Sequence, residues 1–103
     1  MGQNVKVAVI GGGASGVFAA ICAAESSAQA QVDIFEKSQL PLAKVRISGG
    51  GRCNVTHACF DPRELIDHYP RGSQELLGPF HKFCTGDTME WFEDRGVSLT
   101  VEA

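Results

Sequence analysis

"VKVAVIGGGASG", residues 5–16, decides the fold. Val5, Val7 and Val9 alternate with Lys6, Ala8 and Ile10, and so few polar residues in a β-rich hexamer predict a strand buried on both faces. The strand runs directly into Gly11-Gly12-Gly13-Ala14-Ser15-Gly16, where Gly11, Gly13 and Gly16 spell G-x-G-x-x-G. Residues 17–25, VFAAICAAE, are alanine-rich and set Val17, Ile21 and Ala24 at helical spacing, which predicts a helix packed closely on a sheet. After a weak helix end at Ser26 to Gln31, Val32-Asp33-Ile34-Phe35-Glu36 reads as a second strand. Strand, glycine turn, helix and strand in about 30 residues make a βαβ unit, whose crossover requires the two strands to be parallel.

That setting gives the glycine motif its meaning. Gly11 permits the tight turn, Gly13 lets backbone approach a pyrophosphate, and Gly16 lets the helix lie against the strand. Ala14 and Ser15 offer backbone N–H groups at a helix N-terminus, where the dipole favours phosphate. Glu36 ends the second strand where a ribose hydroxyl needs an acceptor. A carboxylate there repels a 2′-phosphate, so FAD or NAD is preferred to NADP, and these residues alone do not separate FAD from NAD.

Outward from this unit the chain changes character. Pro41, a basic cluster and a second glycine run, "ISGGGRCNVTHAC" at 47–59, predict an irregular connection. Asp61-Pro62-Arg63-Glu64 combines a capping acid, proline at the first helical position and a glutamate three residues after the cap, predicting a helix that ends near Tyr69-Pro70. Ser73 to Leu77 opens a weaker helix, interrupted or re-aimed at Gly78-Pro79. Asp87 to Glu90 repeats the capping pattern, Gly96 is the matching stop, and Val97, Leu99 and Val101 alternate as a final strand. Trp91, Phe92 and Phe83 are expected in the core, and the acids from Glu90 to Asp94 on a solvated helix face.

At 103 residues the chain is one domain at most, divided as a βαβ unit with its second glycine loop over 1–60 and a helical segment with a final strand over 61–103. A net charge of −3 is too mild for a nucleic-acid surface, and no segment reaches the roughly 18 apolar residues of a membrane span. The charge is uneven: residues 1–52 hold five Lys or Arg against three Asp or Glu, whereas 53–103 hold four against nine. The basic excess therefore sits beside the glycine runs. No secretory signal is visible, so a cytoplasmic location is expected, with Cys22, Cys53, Cys59 and Cys84 reduced. Cysteine and histidine spacings fit no metal site.

Glu36-Lys37 followed by Lys44, then Ser48-Gly49-Gly50-Gly51-Arg52-Cys53-Asn54-x-Thr56, resembles the signature of bacterial NAD(P)/FAD-dependent oxidoreductases of the YhiN/BaiN-like, or aminoacetone oxidase, family. That family's wording is G-R-K-x-x-x-S-G-G-G-R-C-N-x-T-N. This chain has Leu42-Ala43 in place of its Gly-Arg pair, with Arg46 as a substitute cation, and His57 in place of its last Asn. Asp87, Trp91-Phe92-Glu93 and Gly96-Val97 are similar to its D-x-x-x-F-F-E-x-x-G-V. The resemblance implies a Rossmann-like FAD-binding α/β domain, here the incomplete N-terminal part of a longer flavoprotein. It implies FAD held by its ADP half on the first unit, with the second glycine loop close to the pyrophosphate or flavin.

Elementary chemistry agrees, because glycines let backbone amides line up as an anion-binding nest and Lys44 and Arg52 add charge. The expected cofactor-binding set is thus Gly11, Gly13, Ala14, Ser15, Gly16, Glu36, Lys37, Lys44, Ser48, Gly49, Gly50, Gly51, Arg52, Cys53 and Asn54. Asn54 and Thr56 are candidates to bond the flavin or its ribityl chain. Flavin disulfide reductases carry G-G-x-C-x-x-x-x-C after their ribose glutamate, but Cys53 and Cys59 are separated by one residue more, and a redox pair is not the favoured reading. No residue stands out as a catalytic acid or base. The expected activity is flavin-dependent oxidation or reduction of a small organic substrate, with NAD(P)H as co-substrate or dioxygen as redox partner. The rival readings are an NAD-dependent dehydrogenase domain and a catalytically silent nucleotide-binding or partner-docking fragment.

Overall fold

The computed structural model describes residues 4–101, which fall into two compact units that meet in sequence between Asn54 and Val55. The second glycine loop therefore closes the first unit, and residues 55–60 go with the helical segment.

In the first unit, strand β1 (Val5–Ile10) leads through the glycine turn into helix α1 (Ala14–Ser26) and back to strand β2 (Ala30–Phe35). The strands are parallel, in a register that runs from Val5 opposite Ala30 to Ile10 opposite Phe35. The turn before β2 is tied by Val5 N–H to the Gln29 carbonyl at 3.2 Å and Ala30 N–H to the Ser27 carbonyl at 3.2 Å. Helix α1 buries Ala20 against the sheet, the kind of close approach that an alanine-rich helix allows.

Only one face of this sheet is covered within the unit. Val7 and Val9 are half-buried, whereas Ile10 is 81% exposed and Phe35 57% exposed. The expectation of a strand buried on both faces is corrected here. A two-stranded sheet with one crossover helix shelters only the residues that point toward that helix, and period-2 alternation sends the others to the opposite side.

After β2 the chain forms a short helix, α2 (Ala43–Ile47), and a 3-10 turn over Ser48–Gly51, inside the segment read from sequence as irregular.

The second unit is helical. Helix α3 (Pro62–Leu65) starts as predicted: the Asp61 carboxylate accepts from Arg63 N–H at 2.9 Å and Pro62 opens the first turn. It tightens into a 3-10 turn over Ile66–His68 and stops before Tyr69. Helix α4 (Ser73–Lys82) then runs unbroken through Pro79, contrary to the expected interruption. Gly78 spares the crowding between proline's ring and a preceding Cβ; proline gives up its own N–H bond, but its carbonyl still accepts from Phe83 N–H at 2.9 Å.

Helix α5 (Thr85–Glu93) begins earlier than its sequence pattern suggests. Asp87 is not the residue ahead of the helix; it sits in the first turn and accepts from Cys84 N–H at 2.9 Å. Its far end is as expected: Gly96 turns left-handed at φ 82°, with Gly96 N–H bonded to the Glu93 carbonyl and Val97 N–H to the Phe92 carbonyl, each at 3.0 Å. Leu65, Ile66, Cys84 and Thr85 form the buried centre of this unit.

Trp91 and Phe92 are half-buried and meet edge to face, but Phe83 is 41% exposed and does not belong to the core as expected. Phe83 follows the last residue of α4, where the chain has left the helical face that packs inward. The predicted final strand is also corrected. Residues 97–101 form no strand, because a ladder requires a neighbouring chain and the only sheet among the described residues is β1 with β2.

Candidate functional site

The site is built from the first glycine turn upward. Gly11 sits at φ 105°, a region essentially closed to residues with a side chain, and its N–H donates to the Phe35 carbonyl at 2.8 Å. Gly16 lies so close to Gly11 that a Cβ would be driven into the Gly11 carbonyl oxygen and stand 3.0 Å from its carbon. The close approach that the motif's last glycine exists to allow is therefore present.

Gly13 differs from both. It precedes α1 in extended conformation, and a Cβ there would meet nothing within 4 Å. The space above Gly13, Ala14 and Ser15 is open, all three are exposed, and no acid stands in the first turn of α1. Having no side chain, Gly13 cannot cap the helix, so the start of α1 turns uncapped donors and the positive end of the helix dipole toward that space.

Glu36 follows the last residue of β2, where the predicted acceptor was placed. One carboxylate oxygen accepts from Gly12 N–H at 2.8 Å and the other from Ser38 N–H at 2.8 Å. The two N–H bonds, Ser38 first and Gly12 second, together with the Ser38 hydroxyl and nearby Lys37, hold its pKa down to about 2 against a slight opposing effect of burial. Glu36 is thus ionised throughout the physiological range, and each oxygen retains acceptor capacity for a further donor.

Sequence reasoning missed Gly12, which the motif leaves as an unspecified position. It is the buried glycine of the turn; a Cβ there would press to 3.2 Å from the Glu36 Cβ and 3.3 Å from its Oε1. Its N–H goes to Glu36, and its carbonyl accepts from Leu42 N–H at 2.7 Å. The run of three glycines was the available signal.

Leu42 was the second omission. Its backbone is left-handed, φ 59° and ψ 29°, a conformation that costs an L-residue about 1–2 kcal/mol. This is the place where the resembled signature has glycine, so the departure noted in sequence marks a conformational requirement. The Leu42 carbonyl accepts from Arg46 N–H at 3.0 Å, which makes this residue the joint between the first glycine turn and α2.

Past α2, the Ser48 hydroxyl donates to the Val45 carbonyl at 2.9 Å and so turns back onto its own helix. Gly49 and Gly50 are left-handed at φ 59° and 66°, and so is Cys53 at φ 58°. Arg52 N–H bonds the Gly49 carbonyl at 3.3 Å, and Cys53 N–H bonds the Ser48 carbonyl at 2.9 Å. A Cβ on Gly49 would stand 2.8 Å from Asn54 Oδ1, so Asn54 lies folded against that glycine, whereas a Cβ on Gly50 would meet open space. The segment is a self-bonded loop with one glycine packed and another facing outward. Lys37, Lys44 and Arg52 are exposed along its approach. Hydrogen bonds gather Gly12, Glu36 and Leu42 directly, Gly11 is tied to Phe35 at the end of β2, and the Ser48–Asn54 loop joins them by way of α2.

All four cysteines are free. Among the described residues no group of three or more His, Cys, Asp or Glu converges as a metal site, and no helix is long and apolar enough to cross a membrane. In the second unit, the Thr85 hydroxyl, 1% exposed, donates to the His57 carbonyl at 2.9 Å, and the His57 and His68 rings meet edge to face at 4.3 Å.

Residues 5–103 match the family described as HI0933-like protein Rossmann domain. The chain belongs to this family. Its Rossmann α/β character is thereby established together with the parallel βαβ unit. It is 37% identical over 92 residues to a 3-dehydro-bile acid delta(4,6)-reductase of Clostridium scindens. It is 32% identical over 96 residues to a ribosomal RNA dihydrouridine synthase of Escherichia coli. These alignments cover 89% and 93% of this chain but 22% and 23% of the relatives, so the chain spans about a fifth of the length of each. No solved structure matches.

Proposed function

We infer that this chain is the FAD-binding part of a flavin-dependent oxidoreductase acting on a small organic substrate, with NAD(P)H or dioxygen as redox partner. The observation that carries the reading is the pairing of open space over Gly13 and the uncapped start of α1 with an ionised Glu36 at the end of β2. A pyrophosphate needs the first and an adenosine ribose the second. The outward-facing Gly50 and the cations Lys44 and Arg52 extend the same chemistry along a second loop. The reductase among the relatives supports an oxidoreductase.

When bound, FAD supplies the electron and hydride chemistry. The chain's own residues bind and orient. The N–H groups at the start of α1 meet the pyrophosphate, Glu36 accepts the ribose hydroxyls and refuses a 2′-phosphate by charge, and the Ser48–Asn54 loop faces the pyrophosphate or flavin. The rest of a longer flavoprotein chain completes the substrate site. Free thiols suit a reducing, cytoplasmic setting.

The test is the visible absorption spectrum of the purified chain, as isolated and after incubation with FAD and gel filtration. Retained flavin absorbance supports the reading. A protein that takes up no FAD while binding NAD supports the dehydrogenase alternative, and one that binds neither is a silent fragment.

A further inference from the structure

Gly12 is held on both sides of its Cα, and the two partners belong to different elements. Its N–H is bonded to Glu36 at the end of β2 and its carbonyl to Leu42 N–H at the entry to α2, at 2.8 and 2.7 Å. Gly12 is buried although its neighbour Gly13 is exposed. The Gly11–Gly12 peptide is therefore tied to Glu36 and the Gly12–Gly13 peptide to Leu42, just ahead of the residue that must present backbone to a phosphate.

The connection continues beyond Leu42. Its carbonyl carries the first turn of α2 through Arg46, the Val45 carbonyl takes the Ser48 hydroxyl, and the Ser48 carbonyl takes Cys53 N–H. A continuous hydrogen-bonded path thus runs from Glu36 through Gly12, Leu42 and α2 to the second glycine loop. Leu42 adopts a left-handed backbone in this path, and strained conformations of this kind persist only where the surroundings over-determine them.

We propose that Gly12 and Leu42 are positioning residues, and that the two bonds holding Gly12 couple occupation of the first glycine turn to the ordering of the Ser48–Asn54 loop. The proposal rests on the nucleotide reading above. A nucleotide that draws on Glu36 and on the start of α1 tightens the backbone on both sides of Gly12, and Leu42 passes that constraint to α2.

The test uses ADP as the probe and amide hydrogen exchange as the readout. Two variants break the clamp from opposite sides. Replacing Leu42 by its α-hydroxy analogue turns its amide into an ester and deletes the N–H alone. Gly12→Ala keeps every backbone donor but pushes Glu36 away from the Gly12 N–H.

In the unaltered chain, ADP is expected to slow exchange both at Gly13–Val17 and at Gly49–Asn54. In either variant the protection at Gly49–Asn54 should fall at least tenfold more than that at Gly13–Val17. Equal protection of the second loop in the unaltered chain and both variants overturns the coupling, since it means direct contact with ADP or independent ordering. Protection of Gly13–Val17 alone in the unaltered chain also overturns the coupling and leaves the nucleotide reading standing. No protection at either loop overturns both.

Discussion

Gly13→Ala and Gly16→Ala add the same methyl group to one motif and should fail in different ways. At Gly16 the new Cβ meets the Gly11 carbonyl, backbone that cannot rotate aside, so α1 or the turn must withdraw. Overpacking costs about 1–3 kcal/mol, with backbone collisions at the upper end, and the gain in helix propensity returns about 1 kcal/mol, which leaves α1 about 2 kcal/mol less stable. At Gly13 the Cβ enters open space in an extended conformation that any residue adopts, so the cost is the difference between glycine and alanine at a helix cap, about 0.5 kcal/mol. Trp91, the sole tryptophan, lies in the second unit, so its fluorescence is the wrong probe. Amide exchange of α1 reports the local free energy directly, and Gly16→Ala should accelerate it about 30-fold. Gly13→Ala should leave that exchange within a few-fold of the unaltered chain yet weaken ADP binding, because its methyl occupies the space over the helix start. Equal destabilisation by the two substitutions, or unchanged α1 exchange in Gly16→Ala, would refute the steric argument.

Two further outcomes are expected. Glu36 has a folded-state pKa lowered from 4.5 to about 2, so its two N–H bonds contribute stability that is fully present above pH 4.5 and is lost as pH falls toward 2; amide exchange of β1 and β2 across that window should show a loss that Glu36→Gln abolishes, and an identical pH dependence in the variant would deny Glu36 its role. In the second unit, Thr85→Val keeps shape but removes one of the two donors to the His57 carbonyl, which retains Cys59 N–H at 2.7 Å, and guanidinium unfolding followed by Trp91 fluorescence should register a loss of about 1 kcal/mol, with no shift in midpoint counting against that bond.

Much of this protein was legible without coordinates wherever local chemistry is the cause. Gly11 needs a positive φ, Asp61 and Pro62 start a helix, and Gly96 stops one, because each acts on backbone within a few residues of itself. The parallel pairing of β1 and β2 followed from the length of the crossover. The nucleotide motif was legible for the same reason, since strand, turn and helix are contiguous and their order alone sets a helix start beside a glycine turn.

Tertiary structure decided what depends on partners distant in sequence. That the sheet of β1 and β2 is covered on only one face within its unit, that residues 97–101 lack a strand to pair with among the described residues, and that Phe83 falls outside the core are facts about neighbours, which alternation cannot encode. Gly12 and Leu42 are 30 residues apart and carry no motif between them; only folding brings the Leu42 N–H to the Gly12 carbonyl and the Glu36 carboxylate to the Gly12 N–H. A sequence states which backbone conformations are permitted, and the hydrogen bond that makes a strained one worth adopting exists only in three dimensions.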